Sequence, residues 1–161
     1  MRTEARGPLA VRISPECRTA ASPRARPRAI SRTVRQGSGK IVFTTRDEQF
    51  KVDIALNMAK ELEQMGAHIL AIKDMAGLIS PYAAYELVAA LKKDVGLPVQ
   101  LHTHYTSGMG TAALLKAAEA GVDVMDTAIS ALSLSTSQPP TETLVACLKG
   151  TERDTGLDLN A

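Results

Sequence analysis

The sequence contains no tryptophan, and aromatic residues make up only 3% of its 161 positions. Cysteine is also scarce, because only Cys17 and Cys147 are present and no Cys-x-x-Cys pair occurs. Neither a disulfide framework nor a thiolate metal site is therefore supported. Such sparing use of cysteine favours a reducing compartment, the cytoplasm.

Long apolar runs are missing as well. No stretch approaches the roughly 20 residues that a helix needs to cross a bilayer, and the start lacks the apolar segment of a secretory signal. These absences predict a cytoplasmic protein without membrane insertion. The hydrophobic content of 45% and the charged content of 22% are ordinary for a globular chain of one domain.

Acidic residues are rare at the start of the chain, where residues 1–40 hold nine arginines but only two glutamates. The same segment mixes Arg with Pro, Ser and Ala, without helical or alternating apolar periodicity, and its prolines interrupt any helix. We expect residues 1–38 to form a disordered basic extension. The folded domain is then expected at residues 39–161.

Three interpretations of this extension compete. An Arg-rich, acid-poor segment resembles an organellar transit peptide, and its charge also suits a nucleic-acid-binding arm. No aromatic residue interleaves the arginines as a stacking platform for bases requires. The sequence therefore disfavours nucleic acid as a partner, and the favoured interpretation is a segment without function.

From residue 39 onward, short β-branched runs alternate with longer amphipathic ones. The predicted strands are "KIVFTT", "HILAIK", "PVQLHTH" and "VDVMDTAI", and the predicted helices lie at about 47–65, 80–95, 109–120 and 140–150. Gly66 and Gly121 are expected to end helices, and Ser80 to begin one. This alternation predicts an α/β fold of about four parallel βα units.

Polar residues stand at the carboxyl ends of these strands, where parallel α/β folds place their chemistry. They are Lys73, His102, His104 and Asp126. Because side chains alternate along a strand, His102 and His104 are expected on one face, with Lys73 beside them on the neighbouring strand. Two interpretations of the histidines stay open: a chelating pair for a metal, or two histidines hydrogen-bonded within a polar rim.

Lys73 also allows two roles. As an ammonium it has donors only and repels a cation, so its simplest role is a salt bridge to Asp74 or Asp126. Alternatively, desolvation lowers the pKa of a lysine, and the neutral amine adds carbon dioxide to give a carbamate, an anionic oxygen ligand. The spacing of residues does not decide between the two.

Neighbouring polar residues have structural and functional interpretations. Asp74 either orients a ligand or caps the turn that follows it. For Asp126 we expect helix capping or pairing with the lysine, rather than a part in balancing metal charge. Thr106 or Ser107 is expected to cap the next helix. The "STSQPP" segment at 135–140 has the local chemistry of a turn.

Three stretches carry a family resemblance: "IKDMAGLISPYAAYELV", "LPVQLHTHYTSGMGTAALLKAAEAGVDVMDTAIS" and "TSQPPTETLVACLKGTERDTGLDL". Together they resemble the carboxyltransferase of biotin-dependent enzymes. The nearest relatives by this resemblance are the oxaloacetate decarboxylase alpha subunit and the carboxyltransferase subunit of two-subunit pyruvate carboxylases. The resemblance runs from about Lys40 to Leu159 and keeps all three motifs in order.

This resemblance implies a TIM barrel of which the chain forms only the second half. It also implies that Lys73 is carboxylated and binds a divalent metal (Zn, Mn or Co) together with His102 and His104, and that "STSQPP" is a site loop. The implied reaction is transfer of a carboxyl group between carboxybiotin and pyruvate or oxaloacetate, with the pyruvate enolate as intermediate. In such a site the metal acts as a Lewis acid.

The same resemblance implies what the chain does not supply. The family's metal-binding aspartate and keto-acid clamp belong to the first half of the barrel, and the Met-Lys-Met biotinyl motif does not occur here. We therefore expect biotin on a separate chain or domain. The expected partners are a biotin carboxyl carrier and either a complementary half-barrel or a second copy of the chain. Alone, the chain is expected to be inactive. The alternative is a non-catalytic remnant or interaction module with a partial metal site.

Two further expectations follow. The "TTRDEQF" segment at 44–50 departs from the Ser-Pro-containing turn of relatives, which puts the substrate side after the first strand in question. A half-barrel is also expected to leave an apolar inner face, formed by Ile69, Ala71, Val99 and Leu101, and to associate through it.

Overall fold

A computed structural model describes residues 9–13, 39–43 and 52–159 of the chain. These residues form five strands and four α-helices. In chain order they are β1 (Ala10–Ile13), β2 (Gly39–Phe43), α1 (Val52–Gln64), β3 (Leu70–Asp74), α2 (Pro81–Asp94), β4 (Val99–Thr103), α3 (Gly110–Ala120), β5 (Val124–Thr127) and α4 (Thr141–Leu148). A short 3-10 turn at Ser130–Leu132 lies between β5 and α4.

All five of these strands are parallel and form one sheet in the order β1-β5-β4-β3-β2. From β2 onward each strand is followed by a helix, and consecutive strands are neighbours in the sheet. The four parallel βα units expected from the sequence are therefore confirmed. Their carboxyl ends lie at one edge of the sheet, where loops gather around a shared site.

Among the described strands, β1 is the one that the sequence did not predict. Ala10–Ile13 pairs in parallel with Val124–Thr127, the Ala10 amide donates to the Asp123 carbonyl at 3.1 Å, and Leu9 is buried in the core. The expectation of disorder is thus wrong for these residues. An exposed edge of β5 offers backbone groups to any extended segment, and this one pairs with it. The rest of residues 1–38 lies outside the described ranges.

The sheet divides its side chains between two unlike faces. Alternate residues of β3 to β5 pack beneath the helices and are wholly buried; they are Leu70, Ile72, Val99, Leu101 and Met125. The opposite face carries Ala71, Lys73, Gln100, His102 and Asp126. The expected apolar inner face is therefore wrong for Val99 and Leu101. Strand alternation gives these two residues to the helix layer, while the inner face is largely polar.

The helix ends follow local chemistry. Ser80 caps α2 by accepting from the Ala83 amide at 3.3 Å, with Pro81 in the first turn, and Gly121 ends α3 in the left-handed conformation (φ 99°). α1 begins at Val52, and residues 47–51 of the predicted helix lie outside the described ranges. Over the described part of the chain, no helix is long and apolar enough to span a membrane.

Candidate functional site

Lys73 and His102 lie side by side at the carboxyl ends of β3 and β4. The register pairs them directly, and aligned residues of neighbouring parallel strands share a face. His104 follows one residue beyond the end of β4 and points to the same side as His102. The structure thus brings together three of the four residues that the sequence singled out at the strand ends.

The two histidine rings converge. Their Nε2 atoms are 3.2 Å apart, and the ring centroids are 5.1 Å apart with an angle of 66° between the planes. Each ring is held from its other nitrogen: His102 Nδ1 lies 2.8 Å from Asp126 Oδ2, and His104 Nδ1 lies 2.6 Å from the carbonyl oxygen of Thr136. The two Nε2 atoms therefore face one small volume.

Asp126 belongs to this site through His102 and Gln100. Its side chain is buried, and Gln100 Nε2 donates to both of its oxygens at 2.8 and 2.9 Å. The expected helix-capping role of Asp126 is therefore wrong. Gln100 was not predicted from the sequence; it stands two residues before His102, and strand alternation places it on the same face.

Asp74 faces away from the histidines. Its carboxylate accepts from the Leu78 amide at 3.1 Å, the Ile79 amide at 2.9 Å and the Thr103 hydroxyl at 2.9 Å. The turn-capping interpretation of Asp74 is confirmed. The expected salt bridge from Lys73 to Asp74 is wrong, because successive residues of a strand point to opposite faces.

The turn capped by Asp74 presses against the histidine strand. Gly77 has φ +64°, and a Cβ atom there would lie 2.3 Å from the His104 carbonyl oxygen. The Ser107 hydroxyl donates to the Gly77 carbonyl. Met109, just before α3, has no side-chain cap of its own, but its amide donates to Ser107 Oγ at 3.3 Å, so the expected cap at this helix start is met in part by Ser107. The hydroxyl of Ser107 also ties the loop after β4 to the loop after β3.

The segment at 135–140 closes the other side of the site. Besides the Thr136 carbonyl that holds His104, the Ser137 carbonyl accepts from the Tyr105 amide at 2.8 Å and the Pro139 carbonyl from the Ala128 amide at 3.0 Å. Leu134 and Ser135 adopt positive φ values of 69° and 49°, which turn the chain sharply toward His104. By its contacts this segment is a loop of the site.

The side chains at the strand ends offer part of a metal-binding donor set. Within residues 9–13, 39–43 and 52–159, no cluster of three or more His, Cys, Asp or Glu side chains is placed to hold one. The histidine pair supplies two converging nitrogen donors, which suits a divalent transition metal. A third donor from Lys73 requires the neutral amine or its carbamate, because an ammonium has no lone pair.

Sequence comparisons point to one family. The HMGL-like family matches residues 17–161. The chain is 54% identical over 105 residues to pyruvate carboxylase of Bacillus subtilis, and 47% identical over 122 residues to that of Staphylococcus aureus. These matches cover 64% and 76% of this chain but only 9% and 11% of the relatives, so the chain spans about a tenth of their length.

Solved structures of similar proteins point to the same family as the sequence comparisons. The carboxyl transferase domain of Rhizobium etli pyruvate carboxylase, solved with pyruvate, superposes with a TM-score of 0.73 at 46% identity. The same domain with 3-hydroxypyruvate gives 0.71 at 48% identity. The matches cover 76% and 75% of this chain and 21% of the domain chain in both cases. The predicted architecture, parallel βα units of the second half of a TIM barrel, is confirmed.

Proposed function

This chain belongs to the HMGL-like family, and on that premise we propose that it is the second half of a carboxyltransferase site, moving a carboxyl group between carboxybiotin and pyruvate or oxaloacetate. The observation that carries the proposal is the convergence of His102 Nε2 and His104 Nε2, 3.2 Å apart, beside Lys73. It lies at the strand ends where barrels of this kind react.

The metal ligands in this proposal are His102, His104 and Lys73, with Zn, Mn or Co as the metal. Lys73 joins them after its neutral amine adds carbon dioxide, which forms a C–N bond and releases one proton. A divalent metal held there supplies Lewis acidity for polarising a keto acid and stabilising enolate charge. The chain's own residues orient the ligands, through Asp126 on His102 and Thr136 on His104.

The rest of the site comes from elsewhere in this proposal. Biotin arrives on a carboxyl carrier, as a separate chain or domain, and the remaining strands of the barrel come from a complementary half or a second copy of the chain. A closed barrel needs about eight strands, whereas the described sheet has five. We therefore expect no turnover from the chain alone.

One observation favours a second candidate, a non-catalytic remnant that keeps part of a metal site. β1 is paired along β5, the edge at which a complementary half would close the barrel. Such a half must displace Ala10–Ile13 before it pairs with Val124–Thr127. Because β1 already pairs with the edge strand β5, the chain is also suited to existing without a complementary half-barrel.

The two candidates differ in an assay of oxaloacetate decarboxylation with free biotin. The chain alone should match a variant carrying His102→Ala and His104→Ala, and activity should appear when a polypeptide with the first half of a related barrel is added. The histidine variant mixed with that polypeptide is the control. If the mixture stays at the control rate, the remnant is supported; histidine-dependent turnover by the chain alone would overturn the expectation of inactivity.

A further inference from the structure

We infer that Asp126, itself held by Gln100, is a positioning residue that fixes the tautomer of His102 and so aims a bare Nε2 into the site. The inference rests on the proposed function, because it concerns how the ligands of that metal are prepared. Asp126 was expected from its sequence position to cap a helix or to pair with Lys73. Its contacts in the structure give it a different role.

The tautomer of His102 follows from the hydrogen-bonding capacity of its partner, Asp126. The Asp126 carboxylate has only acceptor atoms, and His102 Nδ1 lies 2.8 Å from its Oδ2, so this nitrogen carries the hydrogen. A neutral imidazole has one N–H group, which leaves Nε2 with its lone pair. The opposite tautomer would set a bare Nδ1 against a buried carboxylate, an arrangement of two acceptors without a hydrogen.

The same argument applies to His104, whose partner is a backbone carbonyl. The Thr136 carbonyl oxygen is also an acceptor only, and it lies 2.6 Å from His104 Nδ1. Both Nε2 atoms are then bare and 3.2 Å apart. Two lone pairs at that distance repel each other unless a cation lies between them. Holding both rings this way therefore prepares a chelating pair rather than a hydrogen-bonded one.

Gln100 makes the carboxylate a fixed acceptor. Its amide nitrogen donates to both oxygens of Asp126, at 2.8 and 2.9 Å, and both side chains are buried. Without these donors the buried carboxylate would be free to rotate, and its oxygen would no longer be held against His102. Orientation by a hydrogen-bonded carboxylate is a general means of tuning a histidine ligand.

Long-range 15N–1H correlation NMR on the metal-free chain at about pH 8.5, where a free imidazole is neutral, reads the tautomer directly. We expect His102 and His104 in the form with hydrogen on Nδ1. Asp126→Ala should move His102 to a tautomer mixture and leave His104 unchanged. Asp126→Asn should not restore the wild-type pattern in full, because its amide is able to donate to Nδ1 as well as to accept from it. Glu119→Gln, which removes an exposed carboxylate of α3, is the charge-matched control.

Zinc affinity gives a second readout. Asp126→Ala should bind zinc about 10–100-fold more weakly than wild type, with Gln100→Leu in between and Glu119→Gln unchanged. Amide NMR spectra check that each variant is folded. Unchanged His102 signals in a folded Asp126→Ala variant, or a doubly protonated His102 in wild type at this pH, would overturn the inference. If zinc binds equally well when His102 and His104 are replaced by alanine, the proposed metal site is wrong, whereas the tautomer result is unaffected.

Discussion

The two faces of the sheet use the same strands for different purposes. On the helix face, Leu101 and its neighbours are wholly buried among apolar side chains. One residue further along the strand, His102 faces a set of polar partners on the other side. Strand alternation therefore separates the apolar core from the candidate site, so substitutions at adjacent positions should have unlike effects.

The largest expected effect is on the helix face. Leu101→Ala removes a side chain with no exposed surface, and we expect it to lower the free energy of unfolding by about 3 kcal/mol. Urea unfolding followed by circular dichroism measures this change. Ile54→Ala, at a position 49% exposed on α1, is the control and should change the free energy by less than about 0.5 kcal/mol. Equal effects at the two positions would contradict the assigned faces.

The next largest effect is expected at Gly77, where the loop after β3 contacts the backbone of His104. Gly77→Ala places a Cβ atom 2.3 Å from the His104 carbonyl oxygen and also forces an L side chain into a positive φ. We expect a loss of about 2 kcal/mol in unfolding free energy, together with shifted NMR signals of the His104 ring. Gly108→Ala is a matched control, because its φ is also positive but no atom lies within 4 Å of the added carbon. Unshifted His104 signals in the first variant would show that the loops are not coupled.

A somewhat smaller effect should come from the edge strand. Leu9 is 3% exposed and packs into the core, although it lies in the segment that the sequence predicted to be disordered. Leu9→Ala should cost about 1–2 kcal/mol, because an edge site collapses more readily than the centre of a core. Thermal unfolding measures the loss. A midpoint equal to that of wild type would instead support the prediction that this segment is disordered.

The smallest effect concerns the loop after β5. The Ser130 hydroxyl and amide donate to Glu142, and these hydrogen bonds hold the pKa of that carboxyl below its ordinary value. The stability that they provide is present above the unfolded pKa and is lost as pH falls through the lowered pKa of the folded state. Glu142→Gln should therefore unfold slightly more readily than wild type near neutral pH, and the difference should vanish in acid. A difference that grows in acid would have the wrong sign.

Much of the fold could be predicted because its signals are local. Ser80 begins a helix and Gly121 ends one as expected, and the apolar periodicity located four βα units. The histidine pair was also predictable, since two residues in a strand share a face whenever one residue separates them. Such signals depend only on residues close together in the sequence, so they can be recognised without a structure.

The features that were missed depend on distant residues. β1 pairs with a strand more than a hundred positions later, and nothing in the composition of Ala10–Ile13 specifies that partner. The contact between His104 and the Thr136 carbonyl joins two loops whose approach is set by the positive φ values at Leu134 and Ser135. The roles of Asp126 and Gln100 likewise required knowing which strands are neighbours.

The central claim, that one face folds the chain and the other binds a metal, is tested most directly by the zinc-induced rise in the thermal unfolding midpoint. A ligand at about 100 times its Kd stabilises the native state by about 2.7 kcal/mol. Wild type and Leu101→Ala should both show the rise, the latter from a lower starting midpoint. His104→Ala should start near wild type and show none. A zinc-induced rise in His104→Ala equal to that of wild type would contradict the account.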